Sequence, residues 1–155
     1  MGMNVSASIS YGIRFDEGFE FPWDDEKYAG DYETWWEDVL GFKPTFSPWT
    51  DKGEYKEGID HDDPRIDAYY EEKRKWEFDN PLPVEFNMCG SDECYDMVLS
   101  VPGIGIGGDW ETPTEIDLSI FTVDQGGIDE LIGFCKFYEI EYKEGPKWYL
   151  TCLQS

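Results

Sequence analysis

The side chains of this sequence that could do chemistry are carboxylates, and they come in two runs. Asp16, Glu17, Glu20, Asp24, Asp25, Glu26, Asp31, Glu33, Glu37 and Asp38 lie between Phe15 and Phe42 with Lys27 as the single cation among them. Asp60, Asp62 and Asp63 surround His61. Interleaved with the first run are Trp23, Tyr28, Trp35 and Trp36, which a disordered acidic tail would lack. Rings among acids therefore predict a folded surface that holds negative charge in fixed places. Such a surface could cleave glycosides with paired carboxylates, coordinate calcium, or imitate the phosphates of a polynucleotide.

Tests of the catalytic and metal readings fail at particular residues. With 35 acids in the chain, pairs suited to glycoside cleavage arise by chance and discriminate nothing. Asp60-His61-Asp62 opens like a calcium loop, and Glu71 falls at its last position. Pro64 and Arg65, however, stand where an oxygen ligand and a glycine are needed. His61 is the only imidazole and has no serine or cysteine beside it, so nucleophilic catalysis is not expected. Gly103, Gly105 and Gly108 spell G-x-G-x-x-G, but Asp109-Trp110-Glu111-Thr112-Pro113 follows where a dinucleotide site needs a helix N-terminus. Cys89 and Cys94 lack the further ligands of a zinc site. Neither cofactor nor metal is expected. With no charged-then-apolar leader and no long apolar run, Cys89, Cys94, Cys135 and Cys152 are expected to be reduced thiols of a cytoplasmic protein.

The charge is the strongest signal. The net of −23 is spread along the chain, with 21 acids against 9 bases in residues 1–80 and 14 against 3 in residues 81–155. Charge of this size opposes compaction by self-repulsion. Solubility or a salt-rich habitat would account for it. So would a partner whose basic groove normally holds nucleic acid, which ordered carboxylates can occupy in place of phosphates. Direct binding to nucleic acid or to an anionic membrane is not expected.

The elements that must position these groups follow from pattern. Val5, Ala7, Ile9, Tyr11 and Ile13 alternate with small polar residues and predict a half-buried strand over Asn4–Phe15. Asp31 can cap a helix over Tyr32–Leu40 that ends at Gly41, with Tyr32, Trp35, Trp36, Val39 and Leu40 on its apolar face. Residues 42–59 read as a long loop or short hairpin packed down by Phe46, Trp49 and Tyr55. Asp63-Pro64 starts a helix that runs to about Phe78 and buries Ile66, Tyr69, Tyr70 and Trp76, with Glu71 able to pair with Lys75. Lys73-Arg74-Lys75 balances that helix surface. Val84–Cys89 and Tyr95–Val101 predict a hairpin turning at Gly90-Ser91-Asp92-Glu93. Gly103–Gly108 reads as a flexible loop and Thr114–Thr122 as a strand. A helix is expected from Gly126 to about Tyr138, lined by Ile128, Leu131, Ile132 and Cys135. A last strand over Lys147–Leu153 follows, with Trp148, Leu150 and Cys152 alternating. Adjacent strands without regular helix alternation predict one α+β domain, a mainly antiparallel sheet with about three helices on one face.

Several stretches resemble small acidic proteins of tailed bacteriophages. They are Ile9-Ser10-Tyr11-Gly12, Phe21-Pro22-Trp23, Trp35-Trp36 before Gly41, Asn80-Pro81-Leu82-Pro83-Val84-Glu85, Val101-Pro102-Gly103, and Phe134-Cys135 leading into Glu139-Ile140-Glu141-Tyr142 and Trp148. The likeness implies an origin and carries no activity. By charge and size the chain also resembles the acidic phage and plasmid inhibitors that mimic DNA, a class without a shared motif. Together these lead us to expect a phage-encoded inhibitor of a host defence nuclease, such as a CRISPR or restriction complex. An immunity-type protein against a basic toxin nuclease is the alternative, with a carboxylate-based hydrolase behind both.

Overall fold

A computed structural model describes residues 5–91, 94–109 and 113–154. The elements are β1 (Val5–Phe15), α1 (Tyr32–Leu40), α2 (Pro64–Asp79), β2 (Glu85–Ser91), β3 (Cys94–Ser100), β4 (Ile106–Asp109), α3 (Gln125–Phe137) and β5 (Lys147–Gln154). Short 3-10 turns stand at Pro22–Asp24 and Leu118–Ile120. This is the expected α+β class, three helices with a five-stranded, mostly antiparallel sheet. The chain forms two compact units: one comprises the chain through Asp25 and from Pro83 onward, the other Glu26–Leu82.

In the first unit the strand order is β3-β2-β5-β1-β4, with a further β3–β1 pairing. β1 is the axis. It pairs antiparallel with β5 over Val5–Gly12, with β4 over Ser6–Ile9 and with β3 over Gly12–Phe15. β2 and β3 form the expected hairpin, and β2 meets β5 in parallel at Gly90–Leu153 and Ser91–Gln154. The pairings β1–β3, β3–β2, β2–β5 and β5–β1 thus close a circuit. Closure has a steric condition at Gly12, where a Cβ would lie 2.1 Å from the carbonyl oxygen of Leu99.

Closure also buries what a half-exposed strand would leave wet. Ile13 and Phe15 are core residues as the alternation predicts, but Ser10, on the small polar face, is buried as well. Ser8 donates to Asn87 Oδ1 at 3.2 Å and lies 2.9 Å from Thr151 Oγ1, and Asn87 Nδ2 donates to Ser100 Oγ at 2.8 Å. This network links β1, β2, β3 and β5 through hydroxyls and one amide, satisfying its own polar groups, whereas the buried Ser10 hydroxyl has no hydrogen-bond partner among the described residues.

Two expectations of the first unit are corrected by that pairing. The end of the glycine-rich segment is β4 rather than loop, since its backbone hydrogen-bonds to β1. Thr114–Thr122 is not a strand: Asp117 Oδ1 accepts from the Ser119 amide at 2.9 Å and turns the chain, leaving Leu118 80% exposed. In β5 the alternating residues beyond Trp148 lie on the exposed face. Thr151 is buried, Leu150 is 67% exposed and Cys152 is exposed. The tip of the β2–β3 turn (Asp92, Glu93) and Trp110–Thr112 lie outside the described residues.

The second unit carries the two helices whose caps the sequence announces. α1 ends at Gly41, whose φ of 73° is the left-handed conformation that glycine adopts without strain. Its buried face is narrower than expected: Trp35 is buried and Tyr32 and Trp36 are half-buried, but Val39 and Leu40 are exposed. α2 buries Ile66 and half-buries Tyr69 and Trp76, whereas Tyr70 is exposed. Between them Trp49 bridges to Tyr55, their rings stacked at 4.5 Å.

Candidate acidic interaction surface

The first acidic run is divided between the units after Asp25, and most of its carboxylates have work inside the fold. In the first unit Asp16 lies 3.3 Å from Arg14 and 3.6 Å from Lys143. Arg14 is held more closely by Asp96, at 2.6 Å. Glu17 accepts the Cys94 thiol at 2.8 Å, and that contact raises the thiol pKa. Asp24 accepts from the Phe21 amide at 2.8 Å and fixes the 3-10 turn. Glu20 and Asp25 are exposed.

In the second unit Asp31 is the N-cap of α1. Its Oδ1 accepts from the Glu33 and Thr34 amides at 3.0 and 3.4 Å, and its Oδ2 takes the Thr34 hydroxyl at 2.6 Å. Partial burial would raise its pKa, but these hydrogen bonds outweigh it and hold the group low. Asp38 receives both the Lys27 ammonium and the Tyr28 hydroxyl, each at 2.6 Å. Glu37 pairs with Lys73 at 2.6 Å, with side-chain exposures of 17% and 22%. Burial alone would lower the Lys73 pKa, and Glu37 more than offsets it. Lys73 also stands 3.8 Å from Glu77, so the ion pair across a turn of α2 is this one, and Glu71–Lys75 does not form among the described residues.

The second run behaves the same way. Asp60 accepts from the Asp62 amide at 3.1 Å, and Asp62 lies 3.2 Å from His61. Asp63 caps α2, accepting from the Arg65 amide at 2.9 Å and the Arg65 guanidinium at 2.6 Å. Those bonds take its carboxyl from the usual 3.8 down to about 2. Among the described contacts Glu20, Glu26 and Glu33 have no such partner.

Two of the four aromatic anchors expected for a partner are core residues. Trp23 and Trp35 are each 3% exposed, so they cannot be offered to another molecule. Trp23 stacks on Phe21 at 4.7 Å and meets the edge of Phe86. The run alternates acids with rings because the rings build the core from which the acids project. Tyr28 and Trp36 remain half-buried, Trp36 donating its indole N–H to the Asn80 carbonyl at 3.0 Å.

The larger reserve of open charge lies outside the two acidic runs. The first unit carries 19 acids against four bases, the second 16 against eight. Around α3, Asp124, Asp129, Glu130, Glu139 and Glu141 are exposed and have no lysine or arginine partner among the described ion pairs. The signal was available in composition, since residues 113–144 hold eight acids against two bases. Few rings mark that stretch, so composition alone carries it.

The first unit also holds a polar cavity of about 290 Å³ between β1 and the glycine segment, lined by Ser8, Ser10, Glu85, Asn87 and Gly103–Gly107. Glu85 accepts from the Gly103 amide at 3.2 Å, so the segment is anchored to the sheet by a carboxylate. All four cysteines are free thiols. Cys135 is buried, and burial pushes its pKa to about 11. Among the described residues no group of three or more metal-ligating side chains is assembled, and no helix is long and apolar enough to cross a membrane. Set against known proteins, the chain matches no family, no curated protein and no solved structure.

Proposed function

We propose that this chain is a binding protein that fills the basic nucleic-acid groove of a nuclease or nuclease complex, its carboxylates standing where phosphates would lie. In keeping with the tailed-phage likeness, the target is a bacterial defence nuclease, a CRISPR or restriction complex, met in the host cytoplasm. The observation that carries this reading is the imbalance of the first unit, 19 acids against four bases, built on a packed sheet and helix. Internal pairing cannot neutralise such an excess, and an ordered backbone keeps it in place. The carboxylates around α3, with Glu20, Glu26 and Glu33, are the groups open to a partner. Asp38, Glu37 and Asp63 are spent on internal cations. No step of catalysis is assigned to any residue.

Association driven by such a surface is steered by long-range attraction and weakens with salt. The test is capture from host lysate at about 0.1 M salt, then measurement of the isolated partner's affinity up to about 1 M, across which the Debye length falls from about 10 to about 3 Å. The expected partner binds nucleic acid, loses affinity steeply over that range, and is competed by a polynucleotide. An affinity that stays constant with salt, or a partner that binds both ligands at once, refutes the reading.

A further inference from the structure

Within the second unit, a cavity of about 230 Å³ lies between α1 and the C-terminal end of α2. Its rings are Tyr32, Trp36 and Trp76, and its ionisable groups are Glu33, Glu37 and Glu77. The rings are held in place. The Trp36 indole donates to the Asn80 carbonyl at 3.0 Å, the Asn80 side chain donates to the Trp76 carbonyl at 2.9 Å, and Trp76 packs on Phe42 with centroids 5.0 Å apart. Lys73 compensates Glu37 at 2.6 Å and Glu77 more distantly at 3.8 Å, so one cation stands against two of the three carboxylates.

The charge and shape of the lining narrow the occupant. Three carboxylates reject an anion. A neutral apolar group would bury carboxylates against itself without compensation. A small hard metal ion needs several ligands converging on one point, and among the described residues no such group exists. The combination of rings and carboxylates favours an organic cation that is weakly hydrated, flat enough to face indoles and able to donate to carboxylates, which describes a guanidinium. The volume is below that of cavities for drug-sized ligands and suits a single side chain.

We propose that this cavity receives an arginine side chain of the protein partner. The identity of that partner rests on the reading above; the chemistry of the cavity does not. The test is an NMR titration of the full chain with N-acetyl-arginine amide, read at the Trp36 and Trp76 indole N–H groups. The expected result is saturable shifts at both, with a Kd on the order of 1 mM. N-acetyl-citrulline amide, nearly isosteric but neutral, should bind at least about tenfold more weakly. Glu33→Gln combined with Glu77→Gln should weaken arginine binding several-fold while the rest of the spectrum is kept. Should that variant disturb the spectrum, the citrulline comparison decides alone. Equal binding of citrulline, shifts that do not saturate, or shifts indifferent to the two substitutions overturn the proposal. Tetramethylammonium binding as tightly as arginine also overturns it, making the cavity a site for a free quaternary ammonium. Loss of this site with partner capture still salt-sensitive would refute the cavity alone.

Discussion

Replacing Lys73 by methionine isolates the half-buried ion pair that joins α1 to α2. The Glu37 carboxylate would keep its place, 17% exposed, with its ammonium partner gone. Breaking a fully buried pair in this way destabilises by about 3–5 kcal/mol, whereas an exposed pair is worth about 0–1. Exposures of 17% and 22% place this pair between the limits, so a loss of roughly 2 kcal/mol is expected. Methionine keeps the length of the stem and the helix propensity, and the lost contact with Glu77 adds only a few tenths of a kcal/mol. The double variant Lys73→Met with Glu37→Met removes both charges and should recover to within about 0.5 kcal/mol of the parent.

Urea unfolding followed by tryptophan fluorescence measures both changes through the midpoint at constant slope. A single variant as stable as its parent would show that Glu37 is solvated and open to a partner. A double variant no better than the single one would show that packing of the lysine stem, and not charge, carries the effect.

The Asp63 carboxyl is held below its ordinary value by Arg65, at about 2 instead of 3.8, so its stabilisation is complete above 3.8 and lost as pH falls from there through 2. Amide protection factors at the start of α2, corrected for intrinsic exchange, should fall as pH drops across that window in the parent and show no such transition in Asp63→Ala. Gly12→Ala would set a Cβ 2.1 Å from a backbone carbonyl that side-chain motion cannot clear, and should destabilise the first unit by at least ~2 kcal/mol in the same urea assay. Thiol alkylation near pH 8 should proceed fastest at exposed Cys152, more slowly at Cys94, whose proton is held by Glu17, and slowest at Cys135, buried and shifted to about 11.

What could be read from the sequence was what local chemistry decides. α1 was legible to the residue because Asp31 and Gly41 cap it by contacts within a few positions, and Asp63-Pro64 marked α2 for the same reason. The β2–β3 hairpin was legible from two short β-rich runs around a turn. Elements whose partner lies far along the chain were not. β4 is a strand only because β1, about a hundred positions earlier, offers it an edge, and glycine-rich sequence gives no hint of that. Thr114–Thr122 has the alternation of a strand, but the Asp117 carboxylate accepts from the Ser119 amide and turns the chain there. The inward face of β5 is set by Thr151 meeting Ser8, 143 positions away. The candidate site divides along the same line. Rings beside acids predicted order, correctly, but adjacency cannot say whether a ring faces inward, and Trp23 and Trp35 do. Nor can it say that Glu37 meets Lys73.

The distribution of partners gives a way to test imitation against mere acidity. The described ion pairs of lysine and arginine engage Arg14, Lys27, Arg65, Lys73, Lys143 and Lys147, and five of these six pair with acids of the two runs first singled out. Arg14 and Lys143 meet Asp16, Lys27 meets Asp38, and Arg65 meets Asp63, while Glu37 takes Lys73 from the same limited supply. Two variants with the same change in net charge can therefore be set against each other. Asp124→Asn, Asp129→Asn and Glu130→Gln together remove exposed charge near α3. Asp16→Asn, Asp38→Asn and Asp63→Asn remove charge that internal cations already meet. If position matters, the first triple should weaken partner binding on the order of tenfold with little change in stability. The second should lower stability and leave affinity nearly intact, because the cations it releases were already masking those acids. Equal losses of affinity would mean that the partner senses only total charge, and a surface that works by total charge alone does not copy the spacing of phosphates.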